Sequence, residues 1–162
     1  MTAPPTSEGM HNAIDGGSLL YRLPRARGST FANVCKMYVD YVKKFKQPTI
    51  VFDGYPVCPT TKDITHLRRS GGVVVNFDIG MILSCKKEPF LANSTNKQML
   101  VFMLGDHLQE AGCTVLHATG DADVLITKTA VHSATQCPTT VIGEDTDLLV
   151  LFCFYADEMM IN

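Results

Sequence analysis

Two acidic clusters in the last third of the chain carry side chains suited to chemistry. They are Gly-Asp-Ala-Asp at 120–123 and Gly-Glu-Asp-Thr-Asp at 143–147, and each contains an Asp-x-Asp pair. Two further aspartates, Asp15 and Asp53, also follow apolar runs. That many carboxylates in a small volume repel one another unless cations neutralise them. Their natural partners are two hard divalent ions, which bind through oxygen and support phosphoryl chemistry.

The predicted catalytic and metal-holding residues are six aspartates, and one glutamate is a further candidate ligand. The aspartates are Asp15, Asp53, Asp121, Asp123, Asp145 and Asp147, and the glutamate is Glu144. A competing interpretation makes Asp121 and Asp145 helix N-caps, with Asp123 and Glu144 acting on the helix dipole. Capping needs one side chain per helix, however, and each cluster offers two or three.

The elements that must position these acids alternate along the chain. Apolar runs predict strands at 13–15, 49–52, 113–118 and 139–143. Helical spacing predicts helices over 31–45, over 95–111, from near Asp121 and from Asp145. Ser29 or Thr30 would cap the first helix, and Ser94 or Thr95 the second. The predicted fold is therefore α/β, a three-layer α/β/α arrangement with a mainly parallel central sheet, whose carboxyl edge gathers the acids.

The domain organisation is predicted to be simple, with one exception. Residues 1–9 form a disordered tail, and residues 10–162 form a single domain that is a fragment or a short member of its family. An arch-like insertion occupies about 57–92, where a short basic helix runs to Arg69 and a strand covers 73–77. So long an excursion between regular elements is typical of a flexible or functional segment.

Charge and cysteine usage restrict the partners and the compartment. Residues 22–97 hold 13 of the 14 Lys and Arg residues, whereas residues 98–162 hold one base and nine acids. That asymmetry favours a protein that binds a polyanion with one region and metal with the other. The six scattered cysteines predict reduced, mostly buried thiols, including Cys35, Cys113 and Cys153. We therefore expect an intracellular protein, nuclear or cytoplasmic, with no membrane partner.

Four segments together resemble the PIN-like structure-specific 5′-nucleases, the flap-endonuclease group, and within it the asteroid-like branch. They are Ala-Ile-Asp-Gly-Gly-Ser-Leu-Leu-Tyr at 13–21, Ile-Val-Phe-Asp-Gly-Tyr-Pro at 50–56, Gly-Asp-Ala-Asp at 120–123 and Gly-Glu-Asp-Thr-Asp-Leu-Leu at 143–149. Their order matches the order in that family. The resemblance implies a PIN-like fold and a nuclease that uses two Mg²⁺ or Mn²⁺ ions to hydrolyse phosphodiester bonds in DNA or RNA.

The same resemblance implies a basic helix above the site that contacts the scissile phosphate. Lys62 and Arg69 have the spacing of the family's Lys and Arg, and Arg68 adjoins them. A solvated basic face is the alternative for this segment, while Tyr55 would stack on a base or serve as an ordinary turn residue. This chain has Asp at 121 and 123 where flap endonucleases usually have Glu. We also expect this chain to lack the helical DNA-binding module that follows the last acids in that family.

Two interpretations of different classes remain beside the nuclease. The chain would be a catalytically silent PIN-like module that binds nucleic acid or protein, or a metal-dependent phosphatase acting on a small molecule. Retention of all six acids favours catalysis, and the excess of base in residues 22–97 favours a polymeric substrate.

Overall fold

The computed structural model describes residues 9–24, 28–54 and 74–160. The predictions for most of the N-terminal tail and for the short basic helix lie outside the described residues, as do the candidate nucleic-acid contacts Tyr55, Lys62, Arg68 and Arg69. The chain divides into two compact units. Of the described residues, the first unit contains 9–22, 42–54 and 113–160, and the second contains 23–24, 28–41 and 74–112.

Strands and helices alternate along most of the described chain. In order, the elements are β1 (His11–Asp15), α1 (Gly16–Arg22), α2 (Phe31–Val42), β2 (Pro48–Phe52), α3 (Lys87–Ala92), α4 (Ser94–Glu110), β3 (Thr114–His117), α5 (Ala122–Ala134), β4 (Thr139–Ile142) and α6 (Thr146–Met160). The four predicted strands are confirmed, because short β-rich apolar runs between turn residues carry a strong strand signal. Helices α1 and α3 were not predicted.

The sheet of the first unit has four strands in the order β3-β2-β1-β4, and all three pairings are parallel. Strand β1 is central: Ile14 pairs with Ile50 of β2 on one side and with Ile142 of β4 on the other. The prediction of an α/β fold with a parallel sheet is confirmed. All four carboxyl ends therefore lie at one edge of the sheet, and that edge carries the acidic residues.

One face of this sheet packs against α5 and α6. Ala13 of β1 and Val51 of β2 form a fully buried cluster with Ile126 of α5 and Leu148 of α6. Burying one such branched side chain contributes about 1.5–3 kcal/mol relative to leaving it exposed. This packing fixes the first turns of α5 and α6, which carry acidic residues, against the sheet.

The opposite face receives α1, which packs against β1 and β2. Successive strand residues point to opposite faces, so Phe52 points away from the side that Val51 shares with α5. A side chain at Gly16 would collide with the Phe52 ring. Glycine is therefore required for α1 to begin directly after Asp15. The first turn of α1 therefore lies at the carboxyl edge of the sheet, next to Asp15.

The second unit is built from helices and an aromatic cluster. The Phe31 and Phe77 rings stack with centroids 4.1 Å apart, and the Phe90 ring lies 5.4 Å from that of Phe77. The predicted strand at 73–77 is wrong for its described part, because residues 74–78 adopt no regular structure. Val75 donates its N–H to the Asn96 side chain instead of to a neighbouring strand. The apolar run thus supplies Phe77 to a core and forms no ladder.

The helix caps of the second unit were predicted in part. Thr30 Oγ1 accepts a hydrogen bond from Asn33 N at 3.2 Å, as expected for the start of α2. The cap of α4 is Asn93, whose Oδ1 accepts from Asn96 N at 3.1 Å, so the prediction of Ser94 or Thr95 is wrong by one or two residues. Asparagine caps as well as serine does, which makes the two sequence patterns equivalent.

Two properties of the described residues bear on the environment of the protein. Cys35 and Cys113 are buried, whereas Cys153, which was expected in the core, is exposed on α6. No helix among the described residues is both long enough and apolar enough to cross a membrane.

Candidate metal centre at the carboxyl edge of the sheet

The strand order places a topological switch point at the end of β1. The chain leaves β1 towards β2 and then β3, and returns through α5 to place β4 on the other side of β1. Where neighbouring strands connect in opposite directions, the loops separate and leave a crevice at the carboxyl ends, the usual ligand site of open α/β sheets. Asp15 ends β1, and the loop that contains Asp145 follows β4.

Asp15 is the most buried of the candidate acids, with 8% of its surface exposed. Its Oδ1 accepts a hydrogen bond from Gly17 N at 2.8 Å, in the first turn of α1. Desolvation raises the pKa of this carboxyl, and the negative charge of Asp53 raises it further, while hydrogen bonds from Ser18 and Gly17 act in the opposite sense. The ends of β1 and β2 are therefore electrostatically coupled.

Two glycines line the sides of Asp15. A Cβ atom at Gly17 would lie 3.2 Å from Asp15 Oδ1 and 3.8 Å from Asp53 Oδ2. A Cβ atom at Gly143 would lie 3.4 Å from Asp15 Cβ and 3.8 Å from its Oδ2. Both glycines keep space around the carboxylate oxygens, and Gly143 lets the β4–α6 loop approach β1.

Asp53 is tied to the first acidic cluster. Its Oδ1 accepts from Ala122 N, at the start of α5, at a distance of 3.4 Å. The next residue, Gly54, donates its N–H to the carbonyl of Gly120 at 3.4 Å, and any side chain at Gly54 would collide with the carbonyl of Ala118. The backbone after β2 thus packs directly on the backbone after β3.

Asp121 and Asp145 have the same local role. Asp121 Oδ1 accepts from Asp123 N at 3.0 Å, and Asp145 Oδ1 accepts from Asp147 N at 2.9 Å. Each bond occupies an N–H group at a helix start that otherwise has no intrahelical partner. The capping interpretation of these two residues is therefore confirmed. Capping leaves both residues able to bind a cation, because each carboxylate has a second oxygen, Oδ2.

Asp123 is where the charges of the site converge. Burial and four neighbouring negative charges raise its pKa to about 6; in order of effect, the charges are those of Asp121, Asp15, Asp145 and Asp53. These residues come from the ends of all four strands. Five of the six predicted aspartates therefore interact electrostatically at the carboxyl edge of the sheet.

Asp147 and Glu144 are placed differently. Asp147 lies in the first turn of α6 and is exposed. Glu144 Oε1 accepts a hydrogen bond from Arg22 Nε at 3.0 Å and lies 2.9 Å from Arg22 Nη2 in an ion pair. Arg22 was missed by sequence reasoning, since no pattern links two residues so far apart in the chain. The glycines at 17 and 54 were visible in the motifs, but only the backbone shows what they make room for.

The donor set fits a hard divalent cation. All five coupled side chains present carboxylate oxygens, the ligands that Mg²⁺ and Mn²⁺ prefer. Among the residues that the structure describes, no three His, Cys, Asp or Glu side chains are arranged closely enough to hold a metal ion. Mg²⁺ sites in phosphoryl-transfer enzymes often use only one or two carboxylates per ion, with waters and substrate oxygens completing the shell.

Comparison with protein-family models, with curated proteins and with solved structures finds no match to this chain.

Proposed function

We propose that this protein is a divalent-metal-dependent nuclease of PIN-like, flap-endonuclease-like fold that hydrolyses phosphodiester bonds in DNA or RNA. One observation carries the proposal: Asp15, Asp53, Asp121 and Asp145 lie at or just after the carboxyl ends of four parallel, neighbouring strands. Burial and the charges of these four residues raise the pKa of Asp123 to about 6. A fold that keeps so much like charge together at a sheet edge is stabilised by bound cations.

The proposed roles follow from the surroundings of each carboxylate. Asp15 and Asp53 are the best placed to share one ion, because their oxygens approach the same space beside Gly17. Asp123 is the next candidate ligand, because the charges of both residues act on it. Asp121 and Asp145 each use Oδ1 for a cap. Each would therefore reach a cation through Oδ2. The caps hold both side chains in place before any ion binds.

Bound divalent ions would supply an activated water near neutral pH and would neutralise charge on the attacked phosphate. The contribution of the chain is to orient its carboxylates. Short aspartate side chains on hydrogen-bonded turns lose little rotamer freedom when they bind an ion. Their positions are set by strand ends and by the first turns of α1, α5 and α6.

A polymeric substrate agrees with the charge distribution. The excess of Lys and Arg in residues 22–97 matches a polyanion better than a small phosphate ester. Within that segment we propose Lys62, Arg68 and Arg69 as phosphate contacts and Tyr55 as a stacking residue. Phosphate contacts position the strand and give no sequence selectivity.

The test compares cleavage with binding. Labelled single-stranded DNA, single-stranded RNA and a flapped duplex are incubated with the protein in Mn²⁺ or in EDTA, beside an Asp145→Asn/Asp147→Asn variant. Metal-dependent products that the variant does not form would support the nuclease. Binding without cleavage of any substrate would establish the silent module instead. Binding that does not weaken as salt rises would rule out a phosphate-based grip.

A further inference from the structure

The ion pair between Arg22 and Glu144 joins two segments at the carboxyl edge of the sheet. Arg22 is the last residue of α1, whose first residue follows Asp15 directly. Glu144 stands between Gly143, which packs against Asp15, and Asp145, which caps α6. The bond therefore connects the helix after β1 to the loop after β4.

The direction of helical side chains makes this contact possible. Side chains in a helix lean towards its N-terminus. The long Arg22 side chain, on the last turn of α1, therefore reaches back towards the start of α1, next to Asp15. Arg22 Nε donates a hydrogen bond to Glu144 Oε1, and Arg22 Nη2 lies 2.9 Å from the same oxygen. A hydrogen bond between charged groups is stronger than one between neutral groups, so this contact holds the loop near the last turn of α1.

The energy of the pair indicates what it does. The Arg22 side chain is 35% exposed and that of Glu144 is 58% exposed. Ion pairs this exposed contribute little to folding, so this pair has little effect on global stability. Its effect is local, because the β4–α6 loop between Ile142 and Thr146 is only three residues long. A small displacement of Glu144 would move Asp145 directly.

We propose that Arg22 and Glu144 are positioning residues that hold the β4–α6 loop, and with it Asp145, against the end of β1 for cation binding, and that Glu144 is not itself a ligand. This role rests on the proposed metal-dependent function. Neighbours that orient ligand side chains typically change metal affinity by about 10- to 100-fold when they are removed. For an exposed pair, the lower end of that range applies.

The main experiment is a Mn²⁺ titration followed by electron paramagnetic resonance, which needs no catalysis. Arg22→Ala and Glu144→Ala should each weaken Mn²⁺ binding about 10-fold. The swapped double variant Arg22→Glu/Glu144→Arg should recover most of the loss. Lys36→Ala is the matched control, because it breaks an exposed pair of 2.7 Å to Asp40 inside α2, and it should bind like the wild type.

The outcomes separate three possibilities. If only Glu144→Ala weakens binding and the swap does not restore it, Glu144 is a ligand and the positioning role is overturned. If all variants bind Mn²⁺ like the wild type, the role is also overturned while the nuclease proposal stands. A wild type that binds no Mn²⁺ would overturn both.

Hydrogen exchange gives a second measurement that is independent of metal. The Asp147 amide donates to Asp145 Oδ1, so its protection reports whether the loop holds its geometry. We expect Arg22→Ala to speed exchange at Asp147 and to leave the Asp123 amide, which donates to Asp121, unchanged. Equal protection at Asp147 in the wild type and in Arg22→Ala would show that the pair does not position this loop.

Discussion

The two Asp-x-Asp clusters are locally alike and differ in their surroundings. In both, the first aspartate caps a helix by accepting from the N–H of the second, at 3.0 Å in one and 2.9 Å in the other. Yet Asp123 is half-buried, with its pKa raised to about 6, whereas Asp147 is exposed. The Asp-x-Asp motif therefore determines the capping hydrogen bond, and it does not determine how deeply the second aspartate is buried.

Sheet topology accounts for the difference. Helix α5, which carries Asp123, packs against β1, β2 and β4, so its first turn faces the ends of the central strands. Helix α6, which carries Asp147, follows the edge strand β4 and packs mainly against α5. The same sequence pattern therefore lies next to the central strands at 121–123 and next to the edge strand at 145–147.

The largest expected effect is on catalysis. Asp123→Asn should lower metal-dependent cleavage by about 100-fold or more, since a lost ion forfeits several kcal/mol of charge stabilisation. Asp147→Asn should lower it by about 10-fold or less, because Asp147 lies at the edge of the cluster. Single-turnover cleavage in Mn²⁺ measures both. Equal losses would show that the two clusters are equivalent when substrate is bound.

Substituting the two glycines next to the acidic clusters should lower the free energy of unfolding by different amounts. A Cβ atom at Gly54 meets the backbone carbonyl of Ala118, which cannot yield without moving the strand end. A Cβ atom at Gly143 lies 2.6 Å from Leu148 Cδ1, the tip of a side chain that can change rotamer. In urea denaturation we expect Gly54→Ala to cost about 3 kcal/mol or more, and Gly143→Ala about 1 kcal/mol. A larger loss at Gly143 would contradict this ranking.

Removing the caps should affect the two clusters equally. Asp121→Ala and Asp145→Ala each lose one N-cap, which typically costs about 1 kcal/mol. Asp121→Asn and Asp145→Asn keep an acceptor and should retain most of the stability while they lose charge. Thermal unfolding of the four metal-free variants gives the comparison. If Asn destabilises either helix as much as Ala does, the cap is not the structural role of that aspartate.

The smallest expected effect is a dependence of stability on pH. The raised pKa of Asp123 means that the folded protein binds this proton more tightly than the unfolded chain does, with values of about 6 and 3.8. Protonation thus stabilises the fold fully below about pH 3.8, and the gain is lost as pH rises through about 6. Discounted for solvent screening, the loss is about 1 kcal/mol, or about 2–4 °C in Tm.

The difference between wild type and Asp123→Asn isolates this effect. His11, whose pKa burial lowers, changes stability in the opposite sense over a nearby range, so the wild-type curve alone mixes the two. We expect the Tm of metal-free Asp123→Asn to exceed that of the wild type at pH 7 and not at pH 4. Mn²⁺ should raise the wild-type Tm more at pH 7 than at pH 5, because protons compete for the carboxylates. Parallel curves for the two proteins would show that Asp123 titrates normally.

The elements that could be predicted from the sequence are those whose local residue pattern matches the structure they adopt in the folded chain. The strands β1, β2, β3 and β4 are short apolar runs that end at acids or turns, and they could be placed to within two residues. Helix α1 was missed because Gly16 and Gly17 are poor helix formers, and tertiary contact with Phe52 makes the glycine at 16 necessary. The run at 74–77 was misread because apolar residues in a loop can fill a core as well as form a strand.

The same reasoning applies to the site. That Asp15, Asp53 and the two clusters share one edge followed from strand ends in a parallel sheet. Which acid would be central could not be derived, since strand order decides it and local pattern does not encode strand order. The pairing of Glu144 with Arg22 is likewise a property of the folded chain.

The interior position of β1 has a consequence for how the molecule assembles. His11 pairs with Thr139, so one flank of this strand stays without its neighbour until residue 139 has been synthesised. Pairings between such distant residues carry a large loop-closure entropy and slow folding. We therefore expect docking of β4 to be the late, rate-limiting event. Until it occurs, the open flank of β1 would expose nascent chains to aggregation.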